Sequence, residues 1–169
     1  MTHLLTQRLV LRKARIADLE DLHAVYSDPL VMRYWSTPPH DDIALTHRNL
    51  KRLIASSEPV VTYFVIERAG HAIGCAGVHM GDEVGFLLRS DHWQQGLMSE
   101  ALGALIPYFF DELRYTQLTA DADPMNAASV ATLTSAGFVK TGEAKNTFCV
   151  DGVWSDSVYF TLKPKHRAA

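Results

Sequence analysis

The sequence predicts an α+β, mixed-sheet fold in one domain spanning residues 1–169. Three observations lead there. Three β-rich runs follow one another through tight glycine turns. Four segments with helical spacing are set around them. Their order, βα(α)βββαβαββ, lacks the regular alternation of a doubly wound dinucleotide fold. The bulk numbers agree, since 169 residues suit one substantial core, and 47% apolar with 21% charged residues is a globular composition.

Each element has a local reason. Leu9 and Leu11 alternate with polar neighbours in Arg8 to Ala14, the period of a half-buried strand. Asp18 precedes a run in which Leu19, Leu22, Val25 and Tyr26 recur at helical spacing, and Pro29 is expected to stop that helix. Tyr34 to Asp42, with two prolines, reads as a loop. Asp41 or Asp42 then caps a helix whose apolar face is Ile43, Leu50, Leu53 and Ile54. Val60 to Arg68, His71 to Met80 and Glu83 to Arg89 form an antiparallel meander through the turns Ala69-Gly70 and Gly81-Asp82. The next helix places Leu97, Ala101, Leu105 and Phe109 on one face, and Pro107 should kink or shorten it. Thr116 to Asp123 is a further strand, and Asn126 to Gly137 a short helix with a glycine just past its end. Two final strands flank the turn Asp151-Gly152, with Tyr159 and Phe160 at core positions.

Composition excludes several functions. No apolar run approaches the roughly 20 residues of a membrane span, and the N-terminus lacks the layout of a secretion signal. Cys75 and Cys149 match no metal or redox spacing, which points to a reduced, cytoplasmic protein. The net charge is −3, from 16 basic and 19 acidic residues, without the basic stripe that nucleic acid requires. None of the eight histidines forms an HxxxH or HExxH pair, so no metal is expected.

The chemistry-bearing motif is WQQGLMSEA, Trp93 to Ala101. A strand, a glycine-containing loop and a helix start together make an anion site, because first-turn amides lack intrahelical partners and the helix dipole favours negative charge. Gln95 through Ser99 supply the amides, Gly96 lets a phosphate approach the backbone, and Ser99 adds a hydroxyl. Neither a GxxxxGK[ST] nor a GxGxxG pattern is present, which disfavours ATP and NAD by those routes.

IERAGHAIGCAGVHM, EVGFLLRSDHWQQGLMSEALGALI, NAASVATLTSAGF and DGVWSDSVYFTL, taken in order, resemble the GCN5-related N-acetyltransferases (GNAT). Within them the chain is most similar to the branch that acetylates ribosomal-protein N-termini, which is related to some aminoglycoside 6′-acetyltransferases. The opening Arg8 to Trp35 looks like the start of that branch. The resemblance implies a twisted, mostly antiparallel sheet splayed between the fourth and fifth strands, with acetyl-CoA in the splay. Backbone groups of Phe86, Leu87 and Leu88 would meet the pantetheine arm; Gln94, Gln95, Gly96, Leu97, Met98 and Ser99 would hold the diphosphate. The family pattern Q/R-x-x-G-x-G/A falls here on Trp93, Gly96 and Met98, and Met98 is the larger departure, able to narrow the cradle. A lysine common near Ser135 in relatives is missing, so nothing indicates what holds the outer phosphates.

Acetyl transfer to an amine requires a proton acceptor for the ammonium and a proton donor for the leaving thiolate. The resemblance gives the first role to Glu83, which on local grounds could equally be a solvated strand end; His79 is a second candidate. It gives the second role to Ser129, with Asn126 on the pantetheine, although Asn126 also reads as a helix N-cap. Glu100 reads as favourable charge at a helix start. Trp35 is a candidate acceptor wall, and Trp154 a candidate wall or dimer contact. The expected activity is N-acetylation of a primary amine, first a protein N-terminus and second a small cationic amine, by a monomer or homodimer. The rival expectation is a non-catalytic acyl-CoA-binding or sensing domain.

Overall fold

The computed structural model describes residues 3–56 and 62–164. In chain order they form β1 (Leu4–Leu5), β2 (Val10–Arg12), α1 (Leu19–Tyr26), α2 (Pro29–Met32), α3 (Ile43–Ser56), β3 (Tyr63–Arg68), β4 (His71–Met80) and β5 (Glu83–Leu88). Then follow α4 (Leu97–Pro107), β6 (Leu118–Ala122), α5 (Ala127–Ser135), β7 (Val139–Val150) and β8 (Val153–Leu162). The strands make one eight-stranded sheet in the order β1-β2-β3-β4-β5-β6-β8-β7. Every neighbouring pair is antiparallel except β5 with β6, which is parallel and joined by a single register contact, Glu83 to Thr119.

The sheet is covered on both faces. Alternation sends Phe64 and Ile66 to one side and Val65 to the other. The first core joins them to Leu97, Ala101 and Leu105 of α4, to Phe109 just beyond it and to Leu133 of α5; the second joins Val65 and Cys75 to Leu22, Val25 and Leu50 of α1 and α3. Central β4 is buried from Ala72 to Val78 without alternation, as a strand covered on both faces must be. Cys75 is buried and Cys149 exposed, both as free thiols.

Several expectations change. The first strand is shorter than Arg8 to Ala14, and β1 is an added strand too short to carry a period. Val60 and Val61, placed in the meander, lie outside the described residues. Pro29 does not simply end a helix; it opens α2, with Asp28 Oδ1 accepting the Leu30 amide at 2.8 Å. The α3 cap is Asp42, whose Oδ1 accepts from Ala44 N at 2.8 Å. After Pro107 the chain continues as a π turn, Tyr108–Glu112, because the missing amide breaks the regular ladder. Tyr159 is 38% exposed while Phe160 is buried, since neighbours on β8 face opposite sides.

α5 is fixed at both ends. Asn126 Oδ1 accepts the Ser129 amide at 3.2 Å. At the other end Gly137, with φ +96°, lets Phe138 N reach Leu133 O and Gly137 N reach Thr134 O, the Schellman pattern. The Asp151-Gly152 turn has positive φ at both residues, as a tight hairpin requires.

Candidate active site: the cleft between β5 and β6

Past the Glu83–Thr119 contact, β5 and β6 separate and a cavity of about 600 Å³ opens between them. That size suits a small-molecule cleft. Three elements converge on it. Phe86, Leu87 and Leu88 form one wall, Gly96, Leu97, Met98 and Ser99 cap one end, and Asn126 and Ser129 line the side made by α5.

The loop before α4 leaves amide donors outside the helical ladder. Gln94 (φ +57°) and Gly96 (φ +71°) are left-handed, and Gly96 is the residue before the helix. The first helical bond is Glu100 N to Gly96 O at 3.0 Å, so the amides of Leu97, Met98 and Ser99 precede the ladder. Those amides offer the donors a diphosphate needs, and the parted edge of β5 offers backbone groups to an amide-bearing arm. The residues present therefore fit a coenzyme A. Met98 is 9% exposed and packed into the first core, which limits how far its bulk narrows the cradle.

Not every predicted site residue is in the cleft. Gln94 lines it, but Gln95 does not: its Oε1 accepts from Arg68 Nη1 at 2.8 Å, its Nε2 donates to Asp91 O at 3.2 Å, and its carbonyl accepts from Arg8 Nη1 at 2.9 Å. Glu83 is also absent from the lining. Its side chain is 46% exposed and lies 3.6 Å from His79 Nε2. Trp35 does line the cleft, whereas Trp154 is 59% exposed at the hairpin end.

The cleft also holds residues that the sequence reading did not select. Gly85 leaves a gap in the wall: a Cβ there would sit 3.4 Å from His79 Nδ1 and 3.5 Å from Trp35 Cη2. Asp121, on β6, lines the cavity and accepts a hydrogen bond from Ser157 Oγ at 2.9 Å. A glycine inside a strand is a usable signal of close approach. Asp121 offered only its alternation with Ala120 and Ala122. At the far end, Ser90 Oγ donates to Asp28 Oδ2, tying the loop before Trp93 to the cap of α2, while Trp93 Nε1 donates to Leu88 O at 2.7 Å.

The sheet parts at its one parallel junction with a helix start facing the opening, the arrangement that the resemblance to the GCN5-related N-acetyltransferases implies. A family model described as an acetyltransferase (GNAT) domain matches residues 8–139, and the chain belongs to that family. It is 31% identical, over 99% of its length and 99% of the relative's, to an uncharacterised N-acetyltransferase of Bacillus licheniformis. The fold matches an acetyltransferase of the GNAT family from Bacillus anthracis, with TM-score 0.85, 21% identity, and 96% and 98% of the two chains covered. It also matches a ribosomal alpha-N-protein acetyltransferase in complex with coenzyme A, with TM-score 0.83, 17% identity, and 96% and 98% covered. The protein is an N-acetyltransferase. Among the described residues, no helix is long and apolar enough to cross a membrane.

Proposed function

We propose that residues 1–169, as one domain in the reducing cytoplasm, transfer the acetyl group of acetyl-CoA to a primary amine. The first choice of acceptor is a protein N-terminal α-amine of the ribosomal-protein type; the second is a small cationic amine such as an aminoglycoside or polyamine. The parting of β5 from β6 carries this reading, because it supplies a slot with a helix start at one end and Ser129 along its side. The solved relative with coenzyme A supports the donor and the first acceptor class.

When bound, acetyl-CoA supplies an already activated acetyl thioester. Gly96 to Ser99 hold its diphosphate through backbone amides, and Phe86 to Leu88 align the pantetheine arm, with Asn126 beside them. The Ser129 hydroxyl gives a proton to the departing thiolate. Glu83, beside His79 at the head of β5, is the base that the family resemblance assigns to the ammonium. Positioning supplies much of the rate.

The test is thiol release from acetyl-CoA against short peptides with free N-termini, polyamines and aminoglycosides. Release with peptides above the other classes supports the first choice. Tight coenzyme binding with no release for any amine would favour the acyl-CoA sensor instead. Sedimentation of the same preparation separates monomer from homodimer.

A further inference from the structure

We propose that Asp121, held by Ser157, takes the proton of the acceptor's ammonium, and that the amine lies in the gap over Gly85. The inference rests on the acetyl-transfer reading and names the residues that receive its second substrate.

Register carries it. Glu83 pairs with Thr119, and both strands run the same way, so two residues further along they present Gly85 and Asp121 on the same face, where the sheet begins to part. Gly85 has no side chain, and Trp35 and His79 stand over it with room for about one methyl group between. Asp121 and Trp35 line the same cavity as Gly85 and Ser129. Glu83 sits outside the cavity lining, half-exposed and paired with His79.

Asp121 is supported from behind. Ser157 is 1% exposed and donates to Asp121 Oδ2; Thr147 Oγ1 lies 2.7 Å from Ser157 Oγ and 3.2 Å from Ser155 O. Thr147 reaches that place because β7 changes register between Ala144 and Phe148. The Ser157 bond engages Oδ2, so Oδ1 is the oxygen for the ammonium. The groups facing this carboxylate are Glu83 from β5, with His79 beside it, Asp123 from its own segment, and Ser157 and Tyr159 from β8. Burial pushes the Asp121 carboxyl up, the Ser157 bond pulls it down, and the charges of Glu83 and Asp123 push it up again, with a net rise. That rise makes it a better proton acceptor at neutral pH.

The step balances. An N–H bond of the ammonium breaks and its proton goes to Asp121 Oδ1. The freed lone pair forms the C–N bond to the acetyl carbon, the C–S bond breaks, and the thiolate takes the Ser129 proton. Ser129 recovers a proton from the new amide nitrogen, and Asp121 releases its own to solvent.

The test compares Asp121→Asn, Glu83→Gln, Ser157→Ala and Ser157→Thr in the full chain, each first shown to melt as the wild type does. Asp121→Asn should lower kcat/KM by about 100-fold or more and remove the acid limb of its pH profile. In Glu83→Gln the acid limb should remain. Ser157→Ala should move that limb to higher pH, since it removes a bond to the charged form, and Ser157→Thr should restore it. Independently of turnover, calorimetry of coenzyme-saturated protein with its best amine should show at least tenfold weaker amine binding in Asp121→Asn, with coenzyme Kd unchanged. An Asp121→Asn enzyme that keeps its acid limb and its amine affinity, while Glu83→Gln loses both, overturns the assignment alone. A wild type inert towards every amine overturns the transferase reading and this inference with it.

Discussion

Arg8 clasps Glu100 with both its backbone and its side chain. Its amide donates to Oε1 at 2.8 Å and its Nε to Oε2 at 2.6 Å, while Thr6 Oγ1 also donates to Oε1. The same guanidinium reaches Gln95 O, so the segment between β1 and β2 holds the anion loop in place. Burial pushes the Glu100 carboxyl up, but the hydrogen bonds from Thr6 and Arg8 and the Arg8 charge outweigh it and leave it below its ordinary value. A depressed carboxyl stabilises the fold above its unfolded pKa and loses that contribution as pH falls through the folded one. Glu100→Gln should therefore cost about 2 kcal/mol at neutral pH. The difference in Tm between wild type and variant should shrink as the pH drops below 4.5. A difference that is constant with pH would refute the charged clasp.

Gly96 has φ +71°, and a Cβ there would meet nothing closer than Arg8 Nη2 at 3.7 Å. The cost of Gly96→Ala is thus conformational rather than steric, about 1–2 kcal/mol. Gly96→Asn should cost less, because asparagine tolerates the left-handed region. Chemical denaturation of the three proteins checks the order Gly, Asn, Ala. Coenzyme affinity should fall in the same order, since the loop that presents the α4 amides is the part being strained.

Ser129 and Asn126 should separate cleanly. Asn126 accepts the Ser129 amide with its side chain, so Asn126→Ala removes an N-cap and should destabilise by about 1 kcal/mol. Ser129→Ala keeps that bond, which uses the Ser129 backbone. Its kcat should drop by about 100-fold if the hydroxyl is the proton donor, with coenzyme Kd within a factor of about two. An equal fall in stability for both variants would assign Ser129 to the helix rather than to the reaction.

Much of this was legible because it is local. The meander, the Gly96 helix start, the Gly137 stop and the Asn126 cap are each set within a few residues, and the chain reads them directly. The two-residue β1 was invisible for lack of length, and Pro29, before which α1 does end, was read only as a stop although proline also begins helices. Asp121, Ser157 and Thr147 come together only through the β6–β8 and β7–β8 registers, so no spacing along the chain brings them together. Glu83 shows the converse: its place at the head of β5 was right, and its distance from the cavity is set by where the two parallel strands still touch.

The gap over Gly85 gives the sharpest test of where the acceptor lies. A methyl group there would stand 3.4 and 3.5 Å from His79 and Trp35, close to ordinary contact, and Gly85 is not left-handed, so Gly85→Ala should fold with little loss. The methyl would still occupy the space assigned to the amine. The acceptor KM should rise about tenfold, equivalent to roughly 1.4 kcal/mol, while coenzyme Kd stays unchanged. Trp35→Ala should also raise the acceptor KM, and Trp35→Phe should recover part of the loss, because a ring face is restored. Steady-state kinetics at saturating acetyl-CoA measures both. If Gly85→Ala instead weakened coenzyme binding and spared the acceptor KM, the gap would belong to the pantetheine arm, and the amine would have to approach from another side of the cleft.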